Sequence, residues 1–83
     1  MNAKQIGPNA TEINGERISV LFSYATPVAA RVRGEGWFRT STRHSVTTSR
    51  HINAFLNGVT AAERPQEWFD SLDFTTLTEQ AAR

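Results

Sequence analysis

Arg17-Ile18-Ser19-Val20-Leu21-Phe22-Ser23-Tyr24 is the stretch that decides the fold. Ile18, Val20, Phe22 and Tyr24 alternate with Arg17, Ser19, Leu21 and Ser23, the period of two that marks a half-buried strand. On its N-terminal side, Asn14-Gly15 is the strongest turn signal in the chain, since both residues tolerate the positive φ of a tight hairpin. Ile13, just before that turn, is where a short edge strand would join. On the C-terminal side Pro27 confines the chain to a strand start or a bend. Val28, Ala30 and Val32 then alternate with Ala29, Arg31 and Arg33, giving a second strand with one basic face. Gly34-Glu35-Gly36 turns the chain into a third strand over residues 37–42. Two short loops between neighbouring strands predict an antiparallel meander. Of Trp37 and Phe38, only one can face inward on a flat strand.

The period changes after Val46. Thr47 is the expected N-cap, and Ile52, Phe55, Leu56 and Val59 follow the i, i+3, i+4, i+7 spacing of an apolar helical stripe. Gly58 follows Asn57 where a helix C-terminal glycine belongs. A second short helix fits residues 65–72, with proline in the first turn and Trp68, Phe69 and Leu72 inward. Thr76-Leu77-Thr78-Glu79 has capping-box spacing but little apolar surface, which predicts a frayed terminal turn. Residues 1–12 are polar, broken by Gly7-Pro8-Asn9, and read as a loosely held lead-in. The expected fold is α+β in one domain over residues 1–83. A small antiparallel three- or four-stranded sheet (13–42) is followed by a helical, acidic part (47–82) whose two short helices pack on one face.

With 83 residues, the chain has room for one hydrophobic core and not for two domains. Its 39% apolar and 20% charged residues place it with globular chains and away from disordered ones. A core of this size supplies stability on the order of 3–5 kcal/mol. The sequence has no cysteine, which excludes disulfides, thiolate metal sites and cysteine nucleophiles. No apolar run approaches membrane-spanning length and no signal peptide is recognisable, so a soluble protein of the bacterial cytoplasm is expected. The net charge of +1 conceals an asymmetry. Between residues 17 and 50 stand Arg17, Arg31, Arg33, Arg39, Arg43 and Arg50, against Glu35 alone. Between residues 61 and 82 stand Glu63, Glu67, Asp70, Asp73 and Glu79, against Arg64 alone. Such a dipole either steers a charged partner or docks the tail on the body.

Catalytic chemistry finds little to work with. His44 and His51 are seven residues apart with no carboxylate recurring beside them at ligand spacing, whereas a metal site needs about three or four converging ligands. Ser45 and Ser49 lie near them without an orienting acid to complete a triad. Gly34-Glu35-Gly36 lacks both dinucleotide and phosphate-loop spacing. The expectation is a binding protein without cofactor or metal, not an enzyme. Thr47-Thr48-Ser49-Arg50 opens the first helix, where early amides favour an anion. Arg50 there opposes the helix dipole. It either bridges to Glu67 or Asp70, or holds an external phosphate or carboxylate together with Arg43.

Two segments also carry a resemblance. Leu21-Phe22-Ser23-Tyr24-Ala25-Thr26-Pro27-Val28-Ala29 and Thr47-Thr48-Ser49-Arg50-His51-Ile52-Asn53 resemble a family of short phage and mobile-element proteins. In that family an LxSYxTPVA strand precedes a TTSRHIN helix start. The likeness covers about residues 18–58, with a looser match at Arg64-Pro65-Gln66-Glu67. It implies a phage protein that acts stoichiometrically on a host machine. The leading expectation is an anti-CRISPR-like inhibitor of a class 1, Cascade-type surveillance complex that hinders target DNA binding. The acidic segment (Glu63, Glu67, Asp70, Asp73) would mimic phosphate, or the basic face would dock on an acidic subunit. The alternative is a nucleic-acid-binding phage accessory protein. In it Arg31, Arg33, Arg39, Arg43 and Arg50 contact phosphates and Trp37 stacks on a base.

Overall fold

A computed structural model describes residues 2–72. Six strands form one sheet in chain order: β1 (Asn2–Gly7), β2 (Ala10–Asn14), β3 (Ile18–Ser23), β4 (Thr26–Val32), β5 (Gly36–Thr40) and β6 (Ala62–Arg64). Helix α1 (Val46–Leu56) lies between β5 and β6, and α2 (Gln66–Asp70) follows β6. The first four ladders are antiparallel and β5–β6 is parallel. A parallel neighbour needs a crossover, and α1 supplies it.

The expected sheet of three or four strands is corrected to six. The additional pairings lie where sequence periodicity is silent. β1 and β2 occupy the segment read as a lead-in, joined by a turn at Pro8-Asn9 in which Asn9 takes φ 61°. Few of their residues are apolar, and those split between the two faces: Ile6 and Ala10 join one cluster and Ile13 the other. Every side chain of β6 is exposed, so its pairing with β5 shows only in the main chain. Nor does Asn14-Gly15 form a positive-φ turn: the loop closes with Gly15 N–H donating to Ile18 O at 2.8 Å.

The placement of both helices on one face is corrected as well. β3 and β4 are buried from both sides. Leu21 and its partner Ala29 face α1, where they pack with Ile52, Phe55 and Leu56. Val20 and its partner Ala30 face the opposite way, against Phe69 of α2. All four are 0% exposed. An alanine from β4 on each face keeps the central ladder thin enough for helices to close on both sides.

A bulge rearranges the alternation expected for β4. Leu21 pairs with Ala29 and Phe22 with Pro27, so Val28 is the extra residue. It joins Ala29 in the α1 cluster, while Ala30 and Val32 stay on the α2 side. Pro27 brings no N–H to the ladder, and the ladder shifts beside it. With both faces covered, Trp37 and Phe38 both find partners, Trp37 against α1 and Phe38 against α2.

α1 begins one residue before the expected cap. Ser45, extended at φ −70° and ψ 166°, is the N-cap and its Oγ accepts from Thr48 N–H at 3.2 Å. Asn57 ends the helix in the left-handed region and Gly58 follows at φ +86°, which leaves Val59 outside the helix and 40% exposed. α2 is shorter than expected, with Pro65 as its cap and Phe69 fully buried. The expected terminal turn at Thr76–Glu79 lies outside the described residues. Among the described residues no helix is long and apolar enough to cross a membrane.

Two-sided burial has a direct test. Leu21→Ala should cost about 2–5 kcal/mol and Phe69→Ala about 3–5 kcal/mol in chemical denaturation. A sheet covered on one face only would leave one of the two substitutions nearly neutral.

Candidate functional site

Residues 41–45 carry the chain from the end of β5 round the sheet to α1, and Gln66 fastens them. Its amide oxygen accepts from Thr40 Oγ1–H at 2.8 Å and from His44 Nε2 at 3.0 Å. Its amide nitrogen donates to Pro27 O at 2.8 Å and to Asp70 Oδ1 at 3.0 Å. A backbone carbonyl only accepts, so the amide orientation is fixed, and His44 must carry its proton on Nε2. One side chain thus ties α2 to β4, to β5 and to the segment before α1.

A second network fastens α1. Ser23 Oγ lies 2.9 Å from Thr48 Oγ1 and 2.8 Å from His51 Nδ1, and Ser45 Oγ donates to Thr48 Oγ1 at 3.3 Å. Ser23 and Thr48 are buried. Beside them Tyr24 takes φ 58°, a left-handed value that a bulky residue adopts only under strain. Its N–H donates to Asn9 O at 2.6 Å and its ring stands 6.1 Å from that of His51. Two of the quoted segments meet here, Ser23-Tyr24 from β3 and the turn after it, Thr48 and His51 from α1, while Pro27 and Gln66 belong to the first network. Those spacings therefore have a structural reason. The Ser23 hydroxyl is 2% exposed and shared between Thr48 and His51, which makes it a fastening between β3 and α1. The two histidines are fastened to different partners, and no group of three or more metal-ligating side chains occurs among the described residues.

Between the 41–45 segment, β5 and the first turns of α1 lies a cleft of about 400 Å³. Arg39, Arg43, His44, Val46 and Ser49 line it, with Glu63 on the β6 side. Arg39 is on the α1 face of β5, opposite Ala29 and Glu63 in register. Its Nε is buried without a hydrogen-bond partner, an unusual state for a charged group. Among the described residues no carboxylate pairs with Arg39 or Arg43. Of the first α1 amides, Thr48 N–H goes to Ser45 Oγ and Ser49 N–H to Ser45 O. Those of Val46, which lines the cleft, and Thr47 have no acceptor within the helix.

The other sequence candidates scatter. Arg31 is exposed on the same face as Arg39, with its guanidinium 5.8 Å from the Trp37 ring centre. Trp37 is half-buried and meets Phe55 in a T-shaped contact at 5.5 Å. Arg33 sits in the β4–β5 turn, beside a shallow hollow shared with Arg31 and Trp37. Arg50 is exposed on α1, across the sheet from Glu67 and Asp70 of α2, and lines no cleft with Arg43. Asp73 lies outside the described residues. Gln66, Ser23 and Tyr24 went unnoticed as organising residues, because only the folded chain brings their partners outside the local helix from 15 to 39 positions away.

The model of DUF8033, a family of unknown function, matches residues 1–71. The chain belongs to that family. The match spans the whole described sheet together with α1 and α2, so this six-stranded arrangement is an architecture for DUF8033. No curated protein and no solved structure matches the chain.

Removing the hydroxyl that joins β3 to α1 should be costly. Ser23→Ala leaves Thr48 and His51 without their shared partner and is expected to destabilise by about 1–3 kcal/mol in thermal or urea unfolding. Unchanged stability would show the network to be dispensable.

Proposed function

We propose that this DUF8033 chain is a non-catalytic nucleic-acid-binding protein that holds backbone phosphate in the cleft of Arg39 and Arg43. The observation that carries the reading is the guanidinium of Arg39, partly buried, unpaired among the described residues and placed in the wall of that cleft. A buried donor without an acceptor is costly, and an entering phosphate would supply an acceptor to the Arg39 Nε. Arg43 adds a second charge, and the amides at the start of α1 add donors. Glu63 is the single acid in the lining, so the site favours an anion while limiting its affinity. Arg31 and Arg33 extend positive charge along the same side of the sheet.

The inhibitor reading, with its phage origin and CRISPR target, rests on the motif resemblance. It predicts a protein partner in place of a phosphate chain. Its acidic patch is represented among the described residues by Glu63, Glu67 and Asp70, all exposed, but Glu63 lies in the arginine cleft and the other two on α2. No continuous acidic surface results from them.

Fluorescence anisotropy with a labelled oligonucleotide tests the proposal. Affinity should fall steeply with salt, and Arg43→Ala and Arg39→Ala should each lower the slope of log K against log salt by about one. Circular dichroism of Arg39→Ala checks that its loss acts through binding. Absence of binding at low salt, with stoichiometric retention of a nuclease-resistant protein complex on the immobilised chain, would replace this reading by the inhibitor one.

A further inference from the structure

The arginine cleft has a neighbour. Arg39 also lines a second cleft of about 410 Å³ toward the other end of α1, together with Asn53, Leu56, Val59 and Ala61. The two clefts therefore follow one flank of α1, with Arg39 between them. Their chemistry differs. The first carries Arg43 and the start of α1; the second offers aliphatic wall, the Asn53 amide and the Thr60 hydroxyl, and among the described residues no charge besides Arg39. Backbone conformation opens the second cleft. Asn57 and Gly58 take successive positive φ values, 48° and 86°, which turn the chain out of the helix axis and carry residues 59–61 away as a rim. Val59 is left 40% exposed on that rim, although its N–H is satisfied by Leu56 O at 3.0 Å.

We infer that the nucleic acid bound here is single-stranded, and that the second cleft receives one unstacked base beside the phosphate held at Arg39. This rests on the phosphate reading and narrows it. In a duplex the faces of the bases are stacked and only their edges are offered in the grooves. An open cleft with aliphatic wall beside an amide and a hydroxyl is matched instead to a base turned out of its stack, with a face against Leu56 and Val59 and a polar edge toward Asn53 or Thr60. The planar guanidinium of Arg39 serves both ends, since it can pair with phosphate through its donors and lie against a ring through its face. A single strand can deliver adjacent phosphate and base into two clefts that share one wall; a duplex can engage the charged one alone.

The experiment is a binding comparison on the full chain, using oligothymidylate, oligouridylate and a duplex of equal length. The unmodified protein should bind at least one single strand more tightly than the duplex. Val59→Glu puts a carboxylate on the rim at an exposed position, and its melting temperature verifies the fold. It should weaken single-strand binding about tenfold or more and leave duplex binding within about twofold. Arg43→Ala should weaken both. Equal affinity for strand and duplex, or equal loss of both in Val59→Glu, overturns the base cleft while salt-dependent binding keeps the phosphate reading. Failure of every polymer to bind at low salt overturns both.

Discussion

Everything in this fold depends on the ladder between β3 and β4 being thin. A small chain can bury an appreciable core only if it uses both faces of its sheet, and Ala29 and Ala30 make that possible at the centre. Each alanine lies opposite a large residue of β3, Leu21 on one face and Val20 on the other, so bulk alternates with gap across the pair. Wider residues on β4 would lift one helix away. Since α1 forms a wall of both clefts and Gln66 on α2 positions the segment that carries Arg43, the clefts inherit their geometry from those two small side chains.

The two sides are fastened in different ways. α1 is joined through hydroxyls and an imidazole, Ser23 with Thr48 and His51. α2, at five residues, is too short to hold itself by helix energetics and depends on Phe69 as an apolar plug and on the three bonds of Gln66 that leave the helix, to Thr40, His44 and Pro27. A tilted contact of Trp68 with Phe38 and a T-shaped one of Trp68 with Phe69 complete that side. Arg64 closes it from the edge, its guanidinium 4.7 Å from the Phe38 ring centre. This arginine had looked like a lone charge in an acidic tail, and it serves as a lid over an aromatic ring.

The sequence was most legible where burial imposes a period. The inward stripe of Ile52, Phe55 and Leu56 follows from spacing alone, as does Phe69 in α2; β3 was located by its alternation but is buried on both faces instead of one, and the third strand, expected over 37–42, ends at Thr40. It was least legible where pairing is carried by the main chain. β1 and β6 satisfy backbone groups without burying a periodic set of side chains, so neither left a trace. The strongest turn signal, Asn14-Gly15, was used without positive φ, while Tyr24 took a positive φ that nothing in its chemistry announces. Among site residues, Arg39 and Arg43 were visible as cations. Their meeting at one cleft depends on the crossover from β5 through α1, a long-range fact that local composition does not encode.

β6 gives the fold an unusual freedom. Ala62 and Glu63 are fully outside the packing, yet the strand is pinned beside β5 and places Glu63 in register with Arg39. A position at the lip of a charged site is thereby uncoupled from folding. Selection can alter its sign or size without renegotiating the core, so the charge balance at the mouth of the cleft is adjustable by one exposed residue. The fold keeps its least constrained side chain next to its least satisfied one.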